Sequence, residues 1–337
     1  MAALVEAQDH AEDEMIKSLR DAISKCDFVN DEADESFDAL SFDILSRYLK
    51  ARKGNVAEAK TMLEETLKWR KAFGVGNIHT KGYMKVIEKE TFTGKTYVGG
   101  YCRDGHALLY MRPRRENSSE YDGNLKHVVY NLERCVESMK HANVPTSEGK
   151  LKLIIDFAGY STLNSPPMKT SRDTLSIIQN QYPERLFKAY IVRAPWIFSA
   201  FWTMISPFID PVTYRKIQFV KGSPEEIGNF LSSAEGGNID PAVLECDLGG
   251  SNRLKFDGQI YAGLKSEVPA QIETGAKLPF ETEKGKSSLP QFKSSCIDSS
   301  LPDSAVLESC KTAFSGTYAE CVQSARAAHL SAAAPKS

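Results

Sequence analysis

The residues whose types suit covalent or metal chemistry are scattered along this chain rather than grouped. Six histidines occur singly, without the spacing typical of metal ligands. They are His10, His79, His106, His127, His141 and His329. Seven cysteines, an odd number with no CxxC pair, predict reduced thiols in the cytosol rather than a disulfide framework or a zinc site. We therefore expect no metal site.

Glycine motifs for nucleophilic catalysis or nucleotide binding are incomplete. Gly159-Tyr160-Ser161 lacks the second glycine of the GxSxG nucleophile elbow. Gly74-Val75-Gly76 follows a predicted helix rather than a strand and lacks the third glycine of a dinucleotide fingerprint. No GxxxxGKS or GxxxxGKT loop occurs. The sequence therefore predicts no catalytic residue, and we expect a protein that is not an enzyme.

A long uncharged stretch suits contact with apolar matter instead. Residues 194–209, APWIFSAFWTMISPFI, carry no charge in a chain that is 26% charged. We place these apolar side chains on most sides of a short helix: Ile197, Phe198, Phe201, Trp202, Met204, Ile205, Phe208 and Ile209. The stretch is shorter than the roughly 20 residues that cross a bilayer. It fits a core helix, an exposed patch for a partner, or a flap over an apolar cavity.

Composition limits the class of protein. A chain of 337 residues has room for one large or two ordinary domains, and 42% hydrophobic residues is typical of globular proteins. A net charge of −2 argues against a generally basic nucleic-acid binder. The N-terminus has no basic segment followed by an apolar run, so no signal peptide is predicted. We expect a cytoplasmic, monomeric protein.

The elements that must position these residues begin with helices. Apolar spacing predicts helices over 10–26, within 41–55 and from 56 to 73, with a shorter one over 82–90. Gly54-Asn55 predicts a helix stop followed by an N-cap. The acidic residues 31–38 predict a solvated linker. Taken alone, Lys50, Arg52 and Lys53 fit a solvated helix end next to the C-terminal dipole.

The middle of the chain predicts an α/β fold. The predicted strands are 95–102, 106–111, 151–157, 189–192 and 217–220. The predicted helices are 122–140, 168–181, a short one after Asp210-Pro211, and 224–231. Residues 151–157 lose the alternation of a half-buried strand, which indicates burial on both faces. Alternating strands and helices predict a mostly parallel sheet with crossover helices.

Several segments resemble the CRAL-TRIO lipid-binding family, which includes the phosphatidylinositol/phosphatidylcholine transfer proteins. They are RYLKARKGNVAEAKTMLEETLKWRKAFG, GYCRDGHALLYMRPR, LIIDFAGYS, NQYPERLFKAYIVRAPWIF and PFIDPVTYRKI, with a glycine pair at 236–237 or 249–250. The resemblance covers about residues 37–250. It implies four parts: a variable N-terminal helix and acidic linker (1–36), a helical module (37–92), a lipid-binding domain (93–250) and a polar tail (251–337). Residues 303–330 of the tail predict a weak terminal helix.

The resemblance implies a cavity between sheet and helices that holds one lipid, with the apolar stretch as the gate helix over its mouth. The resemblance implies that the residues binding the phosphatidylinositol headgroup are Arg52, Lys53, Glu184, Thr213 and Lys216. Cations suit the phosphate, and a carboxylate suits the ring hydroxyls. The structural alternative for Glu184 is an ion pair with Arg185 or a lysine. The alternative for Lys53 and Lys216 is a solvated surface.

One departure from the family's pattern bears on specificity. The resemblance places Leu109, Leu151 and Leu153 in the lining of the cavity, where members that bind phosphatidylcholine have hydroxyl and tyrosine side chains. Leucines offer a choline phosphate neither a hydroxyl donor nor an aromatic face. The resemblance therefore implies phosphatidylinositol as the bound lipid, with an unidentified hydrophobic second ligand, rather than exchange of two phospholipids.

We expect a protein that takes up phosphatidylinositol and exchanges or presents it during transient contact with membranes. Phe201 and Trp202, in the middle of the apolar stretch, are expected to reach the membrane. One alternative is a carrier of a sterol or isoprenoid, which needs no phosphate site. The other is a lipid-sensing adaptor that recruits a protein partner through residues 251–337.

Overall fold

The computed structural model describes residues 2–29, 34, 36–141, 148–161, 165–253, 256, 258 and 261. The helices are α1 (Ala2–Ile23), α2 (Phe42–Ala51), α3 (Val56–Phe73), α4 (Lys81–Phe92), α5 (Tyr121–His141), α6 (Met168–Gln181), α7 (Phe198–Ile205), α8 (Pro211–Arg215) and α9 (Pro224–Ser232). The strands are β1 (Thr96–Tyr101), β2 (Ala107–Met111), β3 (Leu151–Asp156), β4 (Leu186–Val192) and β5 (Ile217–Val220).

The first three helices form a module with its own apolar core. Ile16 and Leu19 of α1 are buried with Leu45 of α2 and Leu63 of α3 in one cluster. The predicted break between α2 and α3 is confirmed, because the Asn55 side chain accepts a hydrogen bond from the amide of Glu58 at 3.2 Å and caps α3. Residues 1–36 were predicted as a separate part, but α1 shares this core with α2 and α3.

The acidic linker was predicted to be solvated, and this is wrong at Asp34. Its carboxylate pairs with Arg70 of α3, with 2.6 Å between Arg70 Nε and Asp34 Oδ2, and both side chains are nearly buried. Arg70 also pairs with Glu133 of α5 at 2.7 Å. The linker therefore helps to fix the module against α5. Residues 31–33 and 35 of the predicted linker lie outside the described residues.

The five strands form one sheet in the order β1-β2-β3-β4-β5. β1 pairs with β2 antiparallel, and the other neighbours pair parallel, which confirms the prediction of a mostly parallel sheet. β3 is central and largely buried, as its unbroken apolar run predicted. α5 packs against β1 and β2, and α6 packs against α5 and α3.

Side-chain alternation separates the two faces of the sheet. Leu109, Leu153 and Ala189 are aligned across β2, β3 and β4, so they share one face. The opposite face is covered by the chain after α9. There the Tyr190 hydroxyl donates to the carbonyl of Gly236 at 2.9 Å, and Lys152 Nζ donates to that of Gly237 at 2.7 Å.

The folded body continues past residue 250, where a surface or loose tail was predicted to begin. Tyr261 is 1% exposed, and its hydroxyl accepts from the Val98 amide at 3.1 Å and donates to Asn131 Oδ1 at 2.8 Å. The ring of Phe256 lies 4.8 Å from that of Tyr97. The terminal helix predicted over 303–330 lies outside the described residues.

Candidate functional site

The apolar stretch 194–209 forms a short helix on one face of the sheet. It builds α7, and a 3₁₀ turn over Ser206–Phe208 follows. Phe198 is buried against Phe157, with 4.4 Å between the ring centroids, and Ile191 of β4 joins this cluster. α7 thus rests on the sheet face that carries Leu109, Leu153 and Ala189.

The outward side of α7 and its flanks is apolar and exposed. Trp196 is 87% exposed, Met204 53% and Phe208 45%. Val212 and Tyr214 of the neighbouring α8 are also exposed. Isolated exposed apolar residues are ordinary, whereas several on neighbouring elements are a feature that interaction surfaces share. We call Trp196, Met204, Phe208, Val212 and Tyr214 the outer apolar surface.

Phe201 and Trp202, which were expected to reach the membrane, are less exposed than the members of this outer surface. Both are half-buried, and their rings lie 5.6 Å and 5.9 Å from that of Phe198. Trp202 also meets Tyr214 at 5.8 Å and Phe219 at 5.1 Å. Sequence reasoning omitted Trp196 because it precedes the helix, where helical periodicity says nothing about which way a side chain points.

The sheet face next to α7 is apolar and becomes more accessible towards β5. Leu109, Leu151 and Leu153, the residues expected to line a cavity, share this face and are buried. Met111, Ile155 and Ile217 on the same face are half-buried, and Phe219 is exposed. A strip of partly exposed apolar side chains beside a short helix is suited to an apolar ligand.

An ion pair lies just before the first residues of β4 and β5. Lys216 Nζ is 3.4 Å from Glu184 Oε2, and both side chains are half-buried. Lys216 caps α8 just before β5, while Glu184 precedes β4 and has a φ of 55°. The structure therefore brings together two residues of the predicted headgroup set. It also forms the glutamate–lysine ion pair that was the structural alternative for Glu184.

Thr213 lies on α8, and Lys216 is the C-cap residue of that helix. Its amide donates to Asp210 Oδ1 at 2.9 Å, as does the Val212 amide, which makes Asp210 the N-cap predicted from Asp210-Pro211. Burial raises the pKa of Asp210, but hydrogen bonds from Thr213 and Val212 outweigh it and hold that pKa below its ordinary value. A charged Asp210 at neutral pH thus fixes the helix that carries Thr213 and Lys216.

Arg52 and Lys53 lie at the end of α2. Arg52 is half-buried at the C-cap, and Lys53 is exposed with a φ of 52°. Within the described ranges, no ion pair links either of them to Glu184. However, Arg47 of α2 donates to the carbonyl of Glu184 at 2.9 Å. Five residues of helix advance about 7.5 Å and turn about 140°, so Arg52 lies further along α2 and on a different face from Arg47.

A buried ionic network anchors the chain just before α7, and sequence reasoning missed it. Arg112 is fully buried and pairs with Asp156 at 2.7 Å and Asp247 at 2.6 Å. Arg193, with a φ of 54°, pairs with Asp156 at 2.7 Å and donates to the carbonyl of Asp247 at 2.9 Å. The sequence did contain one signal for this network. Asp156 is a single aspartate at the end of the apolar strand β3, and a buried carboxylate requires a partner.

Asp247 is charged across the physiological range. Burial raises its pKa, but Arg112, Arg114 and Arg193 together outweigh burial and lower that pKa to about 2. The network therefore stays ionic at neutral pH.

Other features of the described chain bear on alternative functions. No group of His, Cys, Asp or Glu in the described ranges is arranged to hold a metal ion. None of the helices that the structure describes is both long enough and apolar enough to span a bilayer. A cavity of about 520 Å³ lies at the junction of the helical module with α5 and the 182–185 turn.

The sequence is similar to several known proteins. The CRAL/TRIO domain model matches residues 91–250, and the CRAL/TRIO N-terminal domain model matches residues 12–65. The SEC14 cytosolic factor of Eremothecium gossypii is 32% identical over 262 residues, which cover 71% of this chain and 82% of that protein. The phosphatidylinositol transfer protein PDR17 of Saccharomyces cerevisiae is 29% identical over 230 residues, covering 66% of this chain and 61% of that one.

Two further matches differ in extent. The CRAL-TRIO domain-containing protein C23B6.04c of Schizosaccharomyces pombe is 36% identical over 222 residues, which cover 66% of this chain but 20% of that protein. The crystal structure of Sfh5 superposes with a TM-score of 0.49 at 15% identity, over 77% of this chain and 98% of that one.

A helical module followed by a mostly parallel sheet, with an apolar helix on one sheet face, defines an α/β domain with an N-terminal helical extension. The chain belongs to the CRAL/TRIO family. It spans about a fifth of the S. pombe relative and about three fifths of PDR17.

Proposed function

We propose that this chain binds phosphatidylinositol between the sheet and α7, and exchanges or presents it at membranes without covalent chemistry. The proposal rests on the apolar sheet face beside α7. At one end of this face lies the Glu184–Lys216 ion pair. An apolar strip with a polar end matches the shape of a phospholipid. Family membership supports the proposal, as does the name of PDR17, which describes a phosphatidylinositol transfer protein.

In this proposal the acyl chains lie against the inner face of the sheet. Leu109, Leu151 and Leu153 form its deep part, and Ile155 and Ile217 form its more accessible part. These side chains offer no hydrogen-bond donor, so the face selects for hydrocarbon.

The headgroup is proposed to sit at Arg52, Lys53, Glu184, Thr213 and Lys216. Lys216 already has a partner in Glu184, so the inositol phosphate would share this lysine while the ring hydroxyls donate to the carboxylate. Arg52 and Lys53 at the end of α2 supply further positive charge. The bound phospholipid is the only ligand that the proposal requires, and no metal or cofactor enters it.

Membrane contact follows from the energetics of the cargo. A diacyl lipid exposes about 30 CH₂ groups, and transferring them to water at roughly 0.8 kcal/mol each would cost about 24 kcal/mol. The lipid must therefore pass directly between bilayer and protein. The outer apolar surface, with Trp196 and Met204 exposed, is suited to lie in the bilayer interface while α7 moves.

A second candidate is a carrier of a sterol or isoprenoid. The observation in its favour is that Glu184 and Lys216 satisfy each other without a ligand phosphate. Such a carrier would hold its cargo on the same sheet face and leave the pair intact.

Two measurements decide between the candidates. Mass spectrometry of lipid that co-purifies with the chain should find phosphatidylinositol at about one per protein. Transfer between vesicles should be fast for phosphatidylinositol and slow for phosphatidylcholine, because the leucines offer a choline headgroup no polar contact. A co-purifying sterol or isoprenoid, or robust phosphatidylcholine transfer, contradicts the proposal.

A further inference from the structure

The turn that carries Glu184 packs against a second turn of unusual backbone conformation. Glu148, Gly149 and Glu184 have φ angles of 47°, 58° and 55°, in the left-handed region that residues with a Cβ rarely adopt. Two arginines bind all three carbonyls. Arg47 donates to the carbonyls of Glu184 and Glu148, and Arg185 donates to that of Gly149 at 3.0 Å.

The two arginines share one counter-ion. Asp43 Oδ1 is 2.7 Å from Arg47 Nη2, and Asp43 Oδ2 is 3.2 Å from Arg185 Nη2. Both guanidinium groups are nearly buried, while the carboxylate is about half exposed. Burial and the charge of Arg47 together lower the pKa of Arg185 to about 10. We call Asp43, Arg47 and Arg185 the arginine cluster.

The arginine cluster is a poor source of stability, because desolvating two cations offsets much of what they gain from one carboxylate. It is, however, closely fitted to the backbone. A Cβ on Gly149 would lie 2.5 Å from Arg185 Nη1 and 2.7 Å from Arg47 Nη2, and the φ of 58° also disfavours a residue with a Cβ there. The close fit indicates that the arginines fix the position of these two turns.

We propose that Arg47, held by Asp43, is a positioning residue for the Glu184 carboxylate. The inference rests on the proposed headgroup role of Glu184. By binding the Glu184 carbonyl, Arg47 keeps that residue left-handed and directs its side chain to Lys216 at 3.4 Å. Without this bond, Glu184 is free to return to an ordinary backbone conformation, and its carboxylate moves away from the inositol ring.

The same bond couples two parts of the site. Arg47 lies on α2, which ends in Arg52 and Lys53. Arg47 therefore joins α2, and with it the helical module, to the turn that carries Glu184. The specificity for inositol is set partly by a side chain that does not touch the lipid.

The test is a double-mutant cycle read by titration with vesicles that contain a fluorescent phosphatidylinositol. Arg47→Lys keeps the charge but not the planar fork of donors, and should weaken binding about five- to tenfold. Asp43→Asn, whose side chain is half exposed, should weaken binding less and leave the fold intact. In a Glu184→Ala background, Arg47→Lys should change affinity by less than about twofold, because Arg47 acts through Glu184.

Lys140→Gln is the matched control. Lys140 lines the same junction cavity but donates to the Ser36 carbonyl instead, so its substitution should leave affinity unchanged. If Arg47→Lys weakens binding equally with and without Glu184, Arg47 has only a general structural role and the inference fails. It also fails if Glu184→Ala weakens binding while Arg47→Lys and Asp43→Asn do not. If Glu184→Ala itself has no effect, the headgroup assignment falls, and this inference with it.

Discussion

At the level of single residues, the main finding is that Glu184 and Lys216 already form a pair. The two residues come from the turn before β4 and the end of α8, and parallel pairing of β4 with β5 brings them together. Their types follow from the sequence, but their contact depends on the register of two strands. A ligand phosphate would therefore enter an existing ion pair rather than an isolated cation.

The first prediction concerns the charges of the headgroup site. Lys53→Ala with Lys216→Ala should lower the affinity for phosphatidylinositol by a few hundred-fold or more, because each lost charge-assisted hydrogen bond costs about 1.5–3 kcal/mol. Transfer between vesicles measures the effect. Lys60→Ala, which removes a surface lysine paired with Glu64 on α3, is the control for lost charge. Unchanged transfer by the double variant would refute the headgroup assignment.

The resemblance led to Arg52 and Lys53 but not to Arg47, which lies on the same helix. The pattern of headgroup residues identifies side chains that meet a ligand, whereas Arg47 meets a backbone carbonyl 137 positions away. Any residue has a carbonyl, so such a contact leaves no trace in the sequence. Arg112 and Arg193 differ, because they pair with the carboxylate of Asp156, and an aspartate at the end of an apolar strand is visible in the sequence.

At the level of elements, α7 is shorter than its apolar stretch. Pro195 lies near the start of the stretch, and Pro207, near its end, falls in the 3₁₀ turn that follows the helix. Helix periodicity therefore applies to Phe198–Ile205 alone. Side chains outside these bounds, Trp196 and Phe208 among them, point where the flanking turns direct them, which is outward.

The second prediction uses this outward direction. Trp196→Asp with Met204→Asp places two charges on the outer apolar surface and should lower vesicle flotation and lipid transfer at least tenfold. Both side chains are exposed, so the melting temperature should fall by no more than about 4 °C. Thermal denaturation and liposome flotation are measured on the same preparation.

Val86→Asp with Phe92→Asp is the matched control, since both residues are exposed apolar side chains on α4. The control should float and transfer lipid normally. If the variant of α7 is folded and transfers lipid as the unmodified chain does, α7 is not the moving element. Gross unfolding of that variant would show that α7 is ordinary core.

Most element boundaries followed from the sequence, and α6 and β5 were predicted residue for residue. β4 was placed three residues too short. Its first residues include the exposed Phe187 and the half-buried Lys188, which interrupt the apolar run that marked the strand. Hydrogen bonding to β3 extends the strand through these positions regardless of their polarity.

At the level of the whole molecule, the Arg112 network joins the sheet, the start of the α7 segment and the chain after α9. The third prediction concerns its response to acid. The folded-state pKa of Asp247 is about 2 and its ordinary value is 3.8, so the charged form stabilises the fold above pH 4. This contribution, on the order of 2 kcal/mol, should disappear as the pH falls from about 4 to 2.

Urea denaturation between pH 2 and pH 7 measures this loss. Asp247→Asn should be less stable at pH 7 and should show a weaker decline in stability below pH 4. Asp122→Asn, which removes an exposed carboxylate that pairs with Lys126, is the control and should retain the full acid response. An Asp247→Asn variant with an unaltered acid response would show that Asp247 does not couple folding to pH.

The position of Tyr261 determines where the chain can be divided. The family match ends at residue 250, yet Tyr261 lies beyond that residue and its hydroxyl bonds to Val98 of β1 and Asn131 of α5. A protein truncated at residue 250 would leave the Val98 amide and the Asn131 side chain facing an open gap, and its loss of activity would be mistaken for loss of a recruiting tail. Only a cut beyond residue 261 distinguishes a dispensable appendage from the last piece of the domain.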